Sequence, residues 1–356
     1  MLHTATGLLL AGGLAAARLH HTTRNYYRGP VHKAYAAGVR THRREIRPGA
    51  VLHYARTSGT GRPGLLLIPG QGSLWHDYAK VLPDLSADFD VVAVDVHGHG
   101  GSSRNRADYC ATVIAADLVL LGRELFDAPF LVAGHSSGGL IAVQMAAGHP
   151  GDIAGVLIED APFFATDPNR VPGTFVGQDL DLLAGYLAQA EKPDGEEDYL
   201  AHALPGAYIG TLFGDLWPFI SGRVIAQRRQ HPQDPPNIWY LGPAINRIWE
   251  SISHPFDRWW SHAFFISRSW HRNFDQATAL RSVTAPTTFL KAGTSYGADG
   301  VLLAALTDED LARVEKLLVD NRTVHVRAGH DIHFEKPAVF TRALRELAER
   351  SRHRLR

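Results

Sequence analysis

The sequence predicts an α/β fold: a mostly parallel sheet with helices on both faces, carrying a helical insertion. Three observations lead there. Short apolar runs that end at glycine or acid recur along the chain: "GLLLIPG" (64–70), "FDVVAVDVHGHG" (89–100), "FLVAG" (130–134), "IAGVLIED" (153–160) and "TTFLKAG" (287–293). A strand buried on both faces of a parallel sheet reads as such a run, not as an alternation. Helix-length segments at 74–87, 107–126, 137–148 and 308–319 separate the runs, as right-handed strand–helix–strand crossovers require. One stretch, 163–275, contains no run of this kind.

Residues 1–42 form a basic lead-in. Within it "ATGLLLAGGLAAA" (5–17) is apolar but shorter than the roughly 20 residues a spanning helix needs. Ala15 and Ala17 suit a signal-peptide cleavage site, whereas the positive charge at Arg18, Arg24 and Arg28 follows the apolar run instead of preceding it. The expectation is a cytoplasmic protein, with membrane association or export through this segment as the alternative. From residue 43, "RREIRPGAVLHYAR" (43–56) reads as two short strands around a Pro-Gly turn. The α/β core is assigned to 43–162 and 276–356, where "RTVHVRAG" (322–329) closes the strand series.

The remaining segment is too long to be a loop, because structureless stretches much beyond about 15 residues are uncommon inside a compact domain. Residues 163–275 therefore read as a helical cap. They hold six of the seven tryptophans: Trp217, Trp239, Trp249, Trp259, Trp260 and Trp270. Most of these rings suit the segment's own core. Trp259–Trp260 and Phe264–Phe265, however, are adjacent pairs, and one narrow helical stripe cannot bury both members of each. Some of the rings are expected to face the sheet or an apolar substrate pocket.

Composition excludes several functions. Lys plus Arg equals Asp plus Glu at 36 each, so the chain lacks the basic surplus that a nucleic-acid binder needs. Cys110 is the single cysteine, which excludes an intrachain disulfide framework and a thiolate metal cluster. It reads as a small buried hydrophobe. The 20 histidines stand mostly in Arg-rich neighbourhoods without metal-ligand spacing. The expected partner is a small-molecule substrate, with no metal and no organic cofactor.

Chemistry enters at "GHSSGG" (134–139), between a buried strand and a helix-like segment. A G-x-S-x-G in that position holds its serine on a strained strand-to-helix turn, and nearly side-chain-free residues must flank it. Ser136 then sits at a helix N-terminus, where unpaired N–H groups favour negative charge. In "LLLIPGQGSLW" (65–75) a strand ends at a small-residue turn whose Gln71 N–H, paired with that of Ser137, makes a hole for an oxyanion. In "RAGHDIHFEKP" (327–337) a strand and a small turn precede His330, the leading imidazole to take a serine proton. His333 reads as a packed or capping residue, or as a substrate contact.

These motifs, with "AVDVHGHGGSS" (93–103), resemble the α/β-hydrolase superfamily over 43–162 and 276–356. The resemblance implies a serine nucleophile, a histidine and an acid, with the insertion as a cap over the site. Pro69 stands where many members have histidine, and because the donors are backbone groups this changes little. The acid departs more. It is usually found soon after the strand that here reads "TTFLKAG", and the first carboxylate there is Asp299, which keeps the order Ser, Asp, His. Some relatives place the acid one strand earlier, at Glu159 or Asp160 here. Asp308 reads as a helix N-cap.

The implied activity is cofactor-free hydrolysis of an ester or related acyl bond in a small, largely apolar substrate. A lactonase, carbon–carbon hydrolase, perhydrolase, thioesterase or non-catalytic ligand receptor is the alternative. A serine nucleophile stands against haloalkane dehalogenase and epoxide hydrolase chemistry, where relatives attack with a carboxylate.

Overall fold

A segment with no polar face cannot lie at a surface, and the apolar runs come together in one sheet. The computed structural model describes residues 12–17, 28–57, 61–190, 198–232, 235–238, 240–253 and 255–355. Its strands are β1 (Arg40–Arg47), β2 (Ala50–Arg56), β3 (Gly64–Ile68), β4 (Asp90–Asp95), β5 (Phe130–His135), β6 (Ile153–Glu159), β7 (Thr287–Lys291) and β8 (Asn321–His325). They lie in the order β1-β2-β4-β3-β5-β6-β7-β8. The first two pairings, β1 with β2 and β2 with β4, are antiparallel, and the others are parallel. All residues of β3, β4, β5, β6 and β7 are buried. The edge strand β1 reads "RTHRREIR" and is mostly exposed, the charged edge that discourages pairing with another chain.

Alternation within each buried strand feeds two cores. Leu66 and Ile68 of β3 face one, with α2 (Ala111–Leu125), α3 (Ser137–Gly148) and α8 (Asp308–Leu317) packed over it. Leu65 and Leu67 face the other, against Trp75, Tyr78, Leu82 and α9 (Pro337–Arg350). The helix α1 (Arg28–Ala36) joins this second face through buried Ala34, and Tyr35 meets Trp75 edge-on at 5.7 Å between centroids. That part of the basic lead-in is therefore docked on the body. Of the apolar stretch 5–17, residues 12–17 are helical and the rest lie outside the described residues.

Two sequence expectations change in detail. The 74–87 segment is a 3₁₀ turn at Trp75–Lys80 followed by a short helix at Leu82–Leu85 with Pro83 in its first turn. Helix α8 is capped by Thr307, not Asp308. The Thr307 side chain accepts from the Asp310 N–H and Asp310 reciprocates, while Asp308 takes a hydrogen bond from Thr294 at 2.8 Å. Asp308 thus sits in the first turn, where its charge suits the helix dipole.

The insertion at 163–275 contains helices and 3₁₀ turns and no named strand among its described residues. The longer helices are α4 (Leu180–Ala190), α5 (Trp217–Gln230) and α6 (Gly242–Ser253), and α7 (Gln276–Ser282) follows it. Leu200, Leu204, Trp217, Ile220, Val224 and Trp249 give it a small core of its own. Trp239 lies outside the described residues.

The aromatic pairs split as one stripe demands. Trp260 and Phe264 are buried in the main core, stacked at 5.3 Å, while Trp259 is only partly buried and lies under the Arg106 guanidinium at 3.9 Å. In chemical denaturation, Leu66→Ala is expected to lose about 2–5 kcal/mol through cavity formation. Val319→Ala, at an exposed position, should stay within about 0.5 kcal/mol.

Candidate active site

Ser136 stands where β5 turns into α3, with φ 54° and ψ −125°, a conformation that β-carbon-bearing residues enter only under strain. The glycines around it leave no room for anything larger. A β-carbon on Gly134 would lie 2.1 Å from the Gly138 carbonyl oxygen, and one on Gly138 would lie 2.3 Å from that of Ile68. The Ser136 N–H donates to the Glu159 carbonyl at 2.9 Å, which ties the turn to the neighbouring strand. Ser136 is half-buried and its helix begins at Ser137.

The turn after β3 lies directly against this elbow, since a β-carbon on Gly70 would sit 2.9 Å from the Ser136 β-carbon. His99 holds that turn. The Gly72 N–H donates to His99 Nε2 at 3.0 Å, and His99 Nδ1 faces the His97 carbonyl at 3.1 Å. Burial pushes the His99 imidazole down to about 3, so it stays neutral and keeps Nε2 as an acceptor. The Gln71 side chain turns to the insertion and donates to Ser261 Oγ at 2.8 Å. Among the described residues, the backbone N–H groups of Gln71 and Ser137 donate to no protein acceptor, and the first turn of a helix leaves such donors open.

His330 packs on the residue before the serine. The rings of His135 and His330 are 4.4 Å apart between centroids, and His135 Nε2 lies 3.1 Å from the His330 carbonyl. His330 Nδ1 is 2.8 Å from Asp160 Oδ2, with the imidazole side chain 41% exposed and the carboxylate 2% exposed. Burial lowers the His330 pKa, but the hydrogen bond and charge of Asp160, joined by Asp331 and Glu159, outweigh it and leave the imidazole above its ordinary 6.5.

Asp299, expected as the acid, does not meet His330, whose carboxylate partner is Asp160. The Asp299 carboxylate accepts from the Tyr208 hydroxyl at 2.9 Å to each oxygen and from the Val301 N–H at 3.2 Å. The reason is local. The 294–302 excursion leaves the sheet to pair with the insertion through Thr174 and Leu302. Asp160 directly follows β6 and adopts φ 41°, with its other oxygen accepting from the Ala292 N–H at 3.0 Å. Glu159, the other alternative, is fully buried. It takes both the backbone N–H of His333 at 2.7 Å and that residue's Nδ1 at 2.9 Å. His333 is accordingly a packed residue, fully buried beside Tyr78 at 4.6 Å between rings.

The roles of His99, His135 and Asp331 were not legible in the motifs. The pair of histidines in "VHGHG" was the one signal for His99, and the pairing of its ring with the turn after β3 depends on a contact 27 residues away. Trp260 meets the back of His99 edge-on at 5.4 Å, so this ring supports the turn after β3 from within the core. Cys110 is free and buried. Among the described residues no group of three or more His, Cys, Asp or Glu side chains is placed to hold a metal ion, and no helix is long and apolar enough to cross a membrane.

Comparisons with known proteins agree with this architecture. A family model described as "alpha/beta hydrolase fold" matches residues 63–204. Epoxide hydrolase A of Mycobacterium tuberculosis is 27% identical over 330 residues, 87% of this chain and 97% of its own. The magnesium-chelatase 30 kDa subunit of Rhodobacter capsulatus is 42% identical over 91 residues, 25% of this chain and 31% of its own. Several curated relatives at 32–42% identity share only 23–55% of their own length with this chain. A solved bacterial membrane phospholipase A superposes over 99% of both chains with TM-score 0.62 and 21% identity, a likeness of fold.

The glycine geometry has a direct consequence. Gly138→Ala should lower the urea midpoint by the equivalent of about 1–3 kcal/mol, the usual cost of overpacking. Gly222→Ala, at a position with open space around it, should leave the midpoint the same or slightly higher, since alanine favours helix.

Proposed function

This is an α/β-hydrolase-fold chain, and on that premise we infer that it is a serine hydrolase. Its reaction is hydrolysis of an ester or related acyl bond in a small, largely apolar substrate. The observation that carries the reading is the 2.8 Å contact of His330 Nδ1 with the buried Asp160 carboxylate, beside a serine held at positive φ on the elbow.

With Nδ1 engaged, Nε2 is the ring nitrogen that takes the Ser136 proton as Oγ attacks the acyl carbon. Asp160 fixes that tautomer and stabilises the imidazolium as it forms. The negative charge that develops on the carbonyl oxygen is received by the N–H groups of Gln71 and Ser137. The imidazolium then returns its proton to the leaving alcohol, and a water repeats the sequence to release the acid. A helical cap formed by 163–275 would close the substrate pocket from above. Similar proteins include an epoxide hydrolase and a phospholipase by name. The serine at the elbow favours acyl transfer, because a carboxylate there is what opens an epoxide.

An alkyl fluorophosphonate should label Ser136. Ser136→Ala should lose both the label and hydrolysis of p-nitrophenyl esters, and His330→Ala should lose about as much, because such residues act as a unit. Undiminished hydrolysis by Ser136→Ala would sink the reading.

Only the neutral imidazole accepts a proton, so kcat/KM should rise with pH through a pKa above 6.5. Asp160→Asn should lower kcat by about 10⁴-fold and move that limb to lower pH, because the carboxylate is what raises the imidazole. Asp299→Asn should leave both unchanged.

An acyl series from two to eight carbons reads the pocket. Each desolvated CH₂ contributes about 0.8 kcal/mol, so kcat/KM should climb about fourfold per carbon up to a cutoff. A flat series would mean the pocket is not apolar.

A further inference from the structure

The catalytic histidine's loop is held by a residue of the insertion. Arg247 of α6 is 8% exposed, and its Nη2 lies 3.1 Å from Asp331 Oδ1 and 3.7 Å from Asp77 Oδ1. Its guanidinium also lies over the Phe334 ring at 4.3 Å, and Lys80 Nζ lies over the same ring at 4.5 Å. One side chain therefore touches the turn that follows the oxyanion loop, the residue after His330, and the short helix Ile332–Glu335 behind it.

Asp331 is the link that matters. It stands at the N-cap of that short helix, a place where aspartate normally accepts from the helix's own N–H groups. Here its side chain makes no such bond. The carboxylate is turned to Arg247 and to His135 Nε2, 3.7 Å away. Burial would raise its pKa, but the charges of Arg247, His135 and His330 hold it well below the usual carboxylate range. An ionised, largely buried carboxylate next to the histidine is tolerable only while its partner stays in place.

We propose that Arg247 is a positioning residue through which helix α6 of the insertion holds the His330 loop against the elbow, so that the site works only while this helix is seated. The proposal rests on the Ser136–His330 reading. Its physical content is twofold. The two-carboxylate clamp fixes where the loop begins after His330, and it balances the Asp331 charge beside the imidazole. The charged and titratable groups facing His330 are Asp160 and Glu159 from the end of β6, Asp331 from its own loop, and His135 from the elbow. Arg247 faces it through Asp331.

The test follows Ser136 labelling by a fluorophosphonate and kcat/KM on a p-nitrophenyl ester across pH, with circular dichroism and melting on each protein. Arg247→Met should slow both rates about tenfold or more, as small misplacements of a catalytic group do, and should move the acidic limb to higher pH, since Asp331 is then unbalanced. Asp331→Asn should move the limb the opposite way. The double variant should bring it back towards wild type, and Arg247→Lys should keep the limb while recovering part of the rate. A merely structural role would lower the folded fraction and leave the limb where it was.

Wild-type rates and limb in Arg247→Met would overturn the proposal. If that variant does not fold, wild-type rates and limb in both Arg247→Lys and Asp331→Asn would overturn it equally. Failure of the underlying reading looks different: Ser136→Ala would then hydrolyse the ester as well as the wild type does.

Discussion

Three hydrogen-bonded parallel strands end level with one another, and the site depends on that constraint. Ile68 of β3 lies beside Gly134 of β5, and His135 of β5 lies beside Glu159 of β6. The next residues of each strand are therefore neighbours in space before any side chain acts: the turn after β3, the elbow serine and Asp160. The crossovers from β3 leave in opposite directions along the sheet, to β4 on one side and, through β4, to β5 on the other. Such a reversal opens a crevice at the carboxyl ends of the strands. Close approach of α3 to β3 and β6 then needs Gly138 and Gly139, the second of which would otherwise meet Ala161.

How much of this was legible depends on the range of the interaction. The strands were readable because burial on both faces leaves a local signature, and the observed bounds of β3, β5 and β6 differ from the runs by a residue or two. The turns that carry Ser136 and His330 were readable because small residues within a few positions encode them. The carboxylate that meets His330 was not, since "LIEDAP" offers two adjacent carboxylates and the chain order favoured a third. What separates them is backbone geometry. Positive φ at Asp160 aims one side chain at the imidazole, while Glu159, a strand residue, points into the core at His333. No periodicity reports that difference. The Arg247 contact was equally invisible, because it joins residues 84 apart through a helix whose own pattern looks merely amphipathic.

Residue type alone would also have misled. His97 has Nδ1 3.1 Å from Ser103 Oγ and Nε2 2.7 Å from Asp117, the same three side chains in a row. Here the histidine is fully buried, and Asp117 is shared with Arg47, which also grips Asp108. That network ties the β4 turn and the end of β1 to α2. A serine, a histidine and an aspartate in sequence of contact are common structural cement. The elbow strain and the open N–H groups are what set Ser136 apart.

The two non-glycine residues held at positive φ along the β5 and β6 ends are Ser136 and Asp160, and their backbones sit where glycine would rest without cost. Each such conformation costs of order 1–3 kcal/mol. Selection for thermal robustness alone would therefore replace the two side chains on which the proposed chemistry rests. The fold sits below its own stability optimum at these two points, and on the proposed mechanism a variant library sorted only for heat resistance would drift away from activity there first.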